Sequence, residues 1–255
     1  VDFPLFTGSL GLSNFQETTE EEVSEIIRSS PSKSCDLDAL PTEILKLCLP
    51  QLIQCITHII NDSLISGHVS DSFKHAIVTP LIKKNNLDVN DLNNYRPVSN
   101  LPFLSKILEK VVLKRLSKHL KENNLWENFQ SAYRAYHSTE TALCSVASDL
   151  LNVLDQGSVS LLTLLDLSAA FDTIDHEILI QRLNMAFGLS GTVLQWFESY
   201  LKDRKQKVKI LDRSSCLHTL PFGVPQGSVL GPILFVFFTS PLSNLVESVG
   251  LSFLV

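Results

Sequence analysis

Apolar residues recur at helical spacing through much of the chain. Between Pro41 and His68 they fall at Ile44, Leu45, Leu47, Cys48, Leu52, Ile53, Ile56, Ile59, Ile60 and Leu64. A period of three to four predicts amphipathic helix. Pro50 should split the segment in two, because a proline in a helix interior removes a hydrogen bond, and Gly67 should close the second half. A shorter helix is expected over Glu17 to Ser30, with Thr18 or Thr19 as N-cap and glutamates in its first turn. The most regular stripe lies between Leu104 and Leu120, with apolar residues at 104, 107, 108, 111, 112, 116 and 120. Lys106, Lys110, Lys114 and Lys118 fall four apart on its other side. Further helices are predicted over Thr139 to Leu154 with Ser138 as N-cap, over His176 to Phe187 closed by Gly188, over Thr192 to Lys202, and over Ser228 to Thr239. Pro232 is tolerated in the last of these because it falls in the first turn.

Strand signals are fewer. His75 to Ile82 is short and β-branched, and Pro80 marks it as an edge strand or a strand end. Gln206 to Leu211 and Cys216 to Leu220 read as a strand pair. Val159 to Leu165 is continuously apolar, bounded by the turn Gln156-Gly157-Ser158 and by Asp166. Such a run predicts a strand buried on both faces, or central in its sheet. Helices and strands together give an α+β class. The chain has 255 residues, 44% of them apolar and 19% charged, which is a globular composition with enough length for one or two cores.

Net charge is −6, so the chain as a whole does not announce a polyanion partner, but the charge is unevenly spread. Residues 1–62 hold ten Asp/Glu against three Lys/Arg. Residues 96–137 hold eight Lys/Arg against three Glu, and 202–213 hold six Lys/Arg against two Asp. An anionic ligand or ordinary solvated faces would each produce that pattern. Five cysteines without C-x-x-C spacing, most of them among apolar neighbours, suggest buried thiols in a reducing compartment and no structural zinc. No basic-then-apolar leader opens the chain, and no apolar run approaches the ~20 residues of a membrane span. The expected location is therefore intracellular, in nucleus and/or cytoplasm, with no membrane partner. The chain opens on Val1, as a fragment would.

Candidate chemistry gathers at two places. Leu164 to His176 reads L-L-D-L-S-A-A-F-D-T-I-D-H. Asp166 stands where the predicted strand ends, so its carboxylate can face a cleft and suits a Mg²⁺ ligand, or it can cap the next helix. The carbonyl of Leu167 would add a second metal contact. Ser168, Ala169 and Ala170 leave room for a ligand. Phe171 then lies near a bound sugar, or in the core. Asp172 adds an acid that like-charge repulsion argues against as a further ligand, and Asp175 fits an N-cap. Gly223 to Pro232 reads G-V-P-Q-G-S-V-L-G-P. Its glycines permit close backbone approach, and Gln226 and Gly227 can meet a sugar or phosphate, although a turn before an apolar helix needs no ligand. Arg96 in N-Y-R-P-V-S and Arg134 in Q-S-A-Y-R-A-Y-H-S-T-E-T-A-L each stand beside a Tyr. They could clamp phosphate while Tyr95, Tyr133 or Tyr136 stacks, or pair with a nearby acid.

These four motifs, in this order, resemble those of reverse transcriptases of LINE-type (non-LTR) retrotransposons, of the jockey-like kind. The resemblance covers at least residues 70–250, and S-C-D-L-D-A-L-P-T near Cys35 resembles the family's upstream segment. It implies a polymerase right-hand fold, with fingers at about 63–157, a partial palm at about 158–255 and a helical extension over 1–62. It also implies an RNA-directed DNA polymerase that adds deoxynucleotides to a primer by two-metal phosphoryl transfer. The partners would be an RNA template, a DNA primer and deoxynucleoside triphosphates, with two Mg²⁺ in the intact site. Asp166 would be catalytic and, with Leu167, a metal ligand. Phe171, Gln226, Gly227, Arg134 and Arg96 would bind nucleotide, with Phe171 favouring deoxyribose by crowding a 2′-OH. The family's Y-A-D-D strand-turn-strand would come after Gly250-Leu251-Ser252-Phe253, and neither it nor a thumb lies within the 255 residues. Ala132-Tyr133 replaces the family's usual Gly-Phe. The expectation for this chain is impaired or absent synthesis; the alternative is a non-catalytic, nucleic-acid-binding remnant. Oligomeric state is left open.

Overall fold

The computed structural model describes residues 5–8, 10–126, 130–134, 136–167 and 169–251. Ala135, Ser168, Ser252 and Phe253, named above within motifs, lie outside the described residues.

The predicted helices form close to their expected bounds. Helix α1 (Glu20–Ser29) is capped by Thr19, whose hydroxyl accepts the Glu22 amide. Helix α2 (Thr42–Leu47) and α3 (Leu49–Ser66) are separated at Cys48, with Pro50 in the first turn of α3 and Gly67 as its left-handed cap. The segment is thus split in two at Pro50 as expected, with the proline in the first turn of the second helix, where its missing N–H costs least. Helix α4 (Phe103–Glu122) buries Ile107, Leu108, Val111, Val112, Leu116 and Leu120. Each such side chain is worth roughly 1.5–3 kcal/mol relative to exposure. Helices α6 (His176–Met185, capped by Asp175), α7 (Gly191–Leu201) and α8 (Gly231–Thr239) supply the rest of a continuous core. In that core Trp196 stacks on Tyr200 at 5.3 Å between ring centroids and meets Phe15 and Phe197 edge-on. An eight-residue helix, α9 (Pro241–Ser248), follows α8 and is not foreshadowed by the pattern.

The sheet is built on β1 (His75–Ile82). Strand β2 (Tyr95–Asn100) pairs antiparallel with β1 from Ile77↔Asn100 to Ile82↔Tyr95, and β3 (Lys205–Ile210) pairs parallel with its first half, His75 to Val78. Pro80 sits beyond the last β3 pairing, where one side of β1 is an edge and a missing N–H costs least. Two short strands, β4 (Arg213–Ser214) and β5 (His218–Thr219), pair antiparallel with β3.

Two sequence expectations are corrected. Val159 to Leu165 forms no strand. Leu161 is 92% exposed, and no neighbouring strand among the described residues offers these amides a ladder. An apolar run becomes a central strand only where partners flank it. Helix α5 (Thr139–Asp155) forms as expected, with Ser138 as N-cap, and buries none of its residues. The cysteines are not core thiols: Cys48, Cys55, Cys144 and Cys216 are exposed and Cys35 is half-buried.

Candidate nucleotide-binding site

The glycine-rich segment and the turn after Asp166 are held together through their backbones. The Gly223 amide donates to Ile174 O at 2.8 Å and the Val224 amide to Phe171 O at 2.8 Å. His176 Nε2 donates to Gly223 O at 2.7 Å. Gly223 has φ +83°, and a β-carbon there would lie 2.8 Å from Phe171 O and 2.9 Å from Asp172 Cα. Only glycine permits that approach. On the other side, the Ser99 amide of β2 donates to Gln226 O at 2.7 Å. Gly227, at φ +111°, brings its α-carbon so near that a β-carbon would meet Ser99 O at 2.8 Å. The glycines thus serve close backbone packing of three motifs against one another.

Between these segments lies a cavity of about 270 Å³, lined by Pro97, Ser99, Asp172, Gln206, Leu220, Phe222 and the run Gly223 to Gln226. Gln226 Nε2 donates a long hydrogen bond, 3.4 Å, to Asp172 Oδ2. Desolvation raises the Asp172 carboxyl above its ordinary range, against the lowering effect of that hydrogen bond. Phe171 is half-buried with its ring 5.4 Å from that of Phe235 on α8, a packing contact, and it does not line the cavity.

The other candidates are placed differently. Asp166 and Leu167 are exposed on the irregular segment before this turn and do not line the cavity. Arg96 is exposed on β2, opposite Leu81 and next to Pro97 of the cavity wall. Tyr95 turns its hydroxyl to Val89 O at 2.9 Å. Arg134 donates to Gln130 O at 3.5 Å within its own loop, where Tyr133 and Tyr136 are exposed at positive φ. Gln226 therefore meets Asp172, the acid disfavoured on repulsion grounds, while Asp166 stands apart.

Sequence reasoning also passes over three supporting groups. Asp38, in the upstream segment, accepts the Phe103 amide at 2.6 Å and the Cys35 amide at 2.7 Å, capping α4 from a distance. His176 reads in the sequence only as the first residue of a helix. Glu109 is buried on α4; its spacing from Ser105, Val112 and Leu116 places it on the buried face, which is the available signal.

The basic patches are partly spoken for. Glu22 accepts from Arg115 Nη2 at 2.6 Å and pairs with Lys114 at 3.0 Å. Lys110 donates to Ser30 Oγ, and Lys209 pairs with Asp36. Arg204, counted within the second patch, is buried just before β3 with its guanidinium over the Tyr200 ring at 4.6 Å.

A sequence profile of the family "Reverse transcriptase (RNA-dependent DNA polymerase)" matches residues 82–254. The chain belongs to the reverse transcriptase family. It is 31% identical over 238 residues to the RNA-directed DNA polymerase from mobile element jockey of Drosophila melanogaster, covering 93% of this chain and 25% of that protein. It is 30% identical over 223 residues to the probable RNA-directed DNA polymerase from transposon BS of the same fly, covering 87% and 24%, and 30% identical over 219 residues to that from transposon X-element, covering 86% and 24%. The chain spans about a quarter of the length of these curated relatives. The resemblance to non-LTR retrotransposon enzymes read from the four motifs is thereby shown.

Reverse transcriptases are metal-dependent. Among the described residues no group of three His, Cys, Asp or Glu side chains converges as a metal site. Asp166 is one carboxylate on an exposed strand-less segment. These residues do not by themselves fit a two-ion centre, which needs ligands fixing both cations about 3.5–4 Å apart. No helix among the described residues is long and apolar enough to cross a membrane.

Proposed function

We propose that this chain is the fingers-and-palm portion of an RNA-directed DNA polymerase of a non-LTR retrotransposon, and that the cavity beside Gln226 receives the incoming deoxynucleotide. One observation carries the reading. The Gly223–Gly227 backbone is clamped between Ser99 of the N-Y-R-P-V-S motif and Phe171 of the motif that contains Asp166. Three motifs remote in sequence thus build one cavity wall. Gln226 offers an amide to the nucleotide sugar or phosphate, Phe171 a ring near the sugar, and Arg96 a cation at the rim. Template RNA and primer would approach the same side, and Arg134 would contact phosphate. Asp166 with the Leu167 carbonyl is the proposed first metal ligand set, and residues 1–62 a helical extension of the domain.

Asp166, exposed and off any strand, offers a cation one carboxylate without rigid support, so incorporation by this chain is expected to be slow. The test is primer extension on an RNA template with Mg²⁺ or Mn²⁺, comparing this chain with its Asp166→Asn variant. Weak incorporation that falls to background in the variant supports the assignment. Robust synthesis indifferent to Asp166→Asn overturns it. Salt-dependent binding of an RNA–DNA hybrid without any incorporation would favour the non-catalytic reading, for which the exposed Asp166 segment is the supporting observation.

A further inference from the structure

Behind the cavity wall lies a buried ionisable group that the nucleotide-binding reading leaves unused. Glu109, 1% exposed, projects from the middle of α4 toward the start of α8. Its Oε2 accepts both the Val229 amide at 2.6 Å and the Leu230 amide at 3.0 Å. Those amides belong to the residues immediately after Gln226-Gly227-Ser228. Ser228 completes the turn, its hydroxyl donating to Pro225 O at 2.8 Å and accepting the Gly231 amide at 3.0 Å. Burial pushes the Glu109 carboxyl above its ordinary range, and the buried cation Arg204 pulls it the other way; the Nε and Nη2 of Arg204 have no hydrogen-bond partner among the described residues. A carboxylate in the core is retained at a cost unless it is tied by several donors. Here two of its donors are backbone amides of the substrate turn.

We infer that Glu109 is a positioning residue for deoxynucleotide binding. It acts through the Val229 and Leu230 amides to fix the turn so that Gln226 faces the cavity. This rests on the nucleotide-binding reading of the cavity. The turn is already held at its near end by Ser99 and at its start by Phe171 and Ile174. Glu109 fixes the far end, so that Gln226 lies between two anchored points. Preorganisation of this kind acts on affinity, because a loosened turn must be re-ordered each time ligand binds.

The competing role is that of a counter-ion for Arg204. Two conservative variants separate the two. Glu109→Gln keeps an oxygen that can accept both amides but gives up the charge opposite Arg204. Glu109→Asp keeps the charge but withdraws the oxygens by one methylene. Two readouts are taken on the whole 255-residue chain. The first is hydrogen exchange of the Val229 and Leu230 amides; the second is the affinity for an N-methylanthraniloyl-labelled dATP with Mg²⁺, read by fluorescence anisotropy. Glu109→Asp, and Glu109→Ala where it folds, should speed exchange at both amides and weaken nucleotide binding by about tenfold, the scale of a lost hydrogen bond to a charged group. Glu109→Gln should stay near wild type in both. If Asp behaves as wild type while Gln is impaired, Glu109 is the partner of Arg204 and the inference is overturned. Failure of the unaltered chain to bind the nucleotide would overturn the reading of the cavity itself. The exchange pattern would still decide whether Glu109 fixes the turn.

Discussion

Among single residues, Glu22 shows how a surface charge count misleads. In the sequence it is one acid of an acidic front. In the structure its carboxylate is largely buried between Arg115, Lys114 and the Thr18 hydroxyl, which donates at 2.8 Å. The Arg115 hydrogen bond, opposed by desolvation and helped by Lys114, pulls its pKa from 4.5 down to about 2. A folded-state pKa below the unfolded one means stability that is present above the unfolded value and lost as pH falls through the folded one. Glu22→Gln should therefore cost about 2 kcal/mol at pH 7, less than the full shift converted at ~1.4 kcal/mol per unit, because solvent screens part of the pairing. The deficit should shrink as pH falls from 4.5 toward 2. Urea unfolding of both proteins at neutral pH and at acidic pH checks it, and a deficit that persists unchanged in acid would refute the ion-pair account.

At the scale of elements, the helices of the core are legible because their apolar stripes, caps and breakers agree. Thr19, Pro50, Gly67, Ser138 and Asp175 all stand where the sequence places them. The irregular course of Val159 to Leu165 is not legible, because a strand is a property of its neighbours as much as of its own residues. Helix α5, directly before it, makes the same point from the other side. Ser138 and Thr141 form a reciprocal capping box, with the Thr141 amide donating to Ser138 Oγ at 3.2 Å and the Ser138 amide to Thr141 Oγ1 at 3.0 Å. The helix is nonetheless without a buried residue. Its stability is local, and it contributes little to the cooperative core. Ser138→Ala should weaken α5 by about 1 kcal/mol. That loss should appear as faster hydrogen exchange within Thr139 to Asp155, with an unchanged urea midpoint for the whole chain. A lowered midpoint would mean that α5 is coupled to the core more tightly than its exposure indicates.

For the molecule as a whole, the candidate site is legible as a set of motifs but not as a geometry. Sequence can say that Gln226 and the segment after Asp166 belong together. It cannot say that Asp172 is the acid beside Gln226, because a small shift along a turn changes which side chain faces inward and leaves no periodic trace. Charge placement is illegible for a similar reason. The sum of −6 and the two basic runs are separate facts of the sequence, whereas the fold brings the acidic front onto them: Glu22 onto Lys114 and Arg115, and Asp36 onto Lys209. Lys209, its ammonium held protonated by Asp36, lies on β3 with Lys205 and Lys207 at alternate positions, so all three point to one face. If that face meets the phosphates of a template–primer hybrid, Asp36 competes with the nucleic acid for Lys209. Asp36→Asn then frees one cation without touching the core, since both partners are solvent-accessible. Affinity for an RNA–DNA hybrid at low salt should rise modestly. The slope of log affinity against log salt should steepen by up to about one unit, the signature of one additional phosphate contact. Anisotropy titrations between roughly 50 and 200 mM salt resolve that change. An identical slope in the two proteins would show that the β3 face stays clear of the backbone, and would move the nucleic-acid path toward Arg96 and the cavity rim.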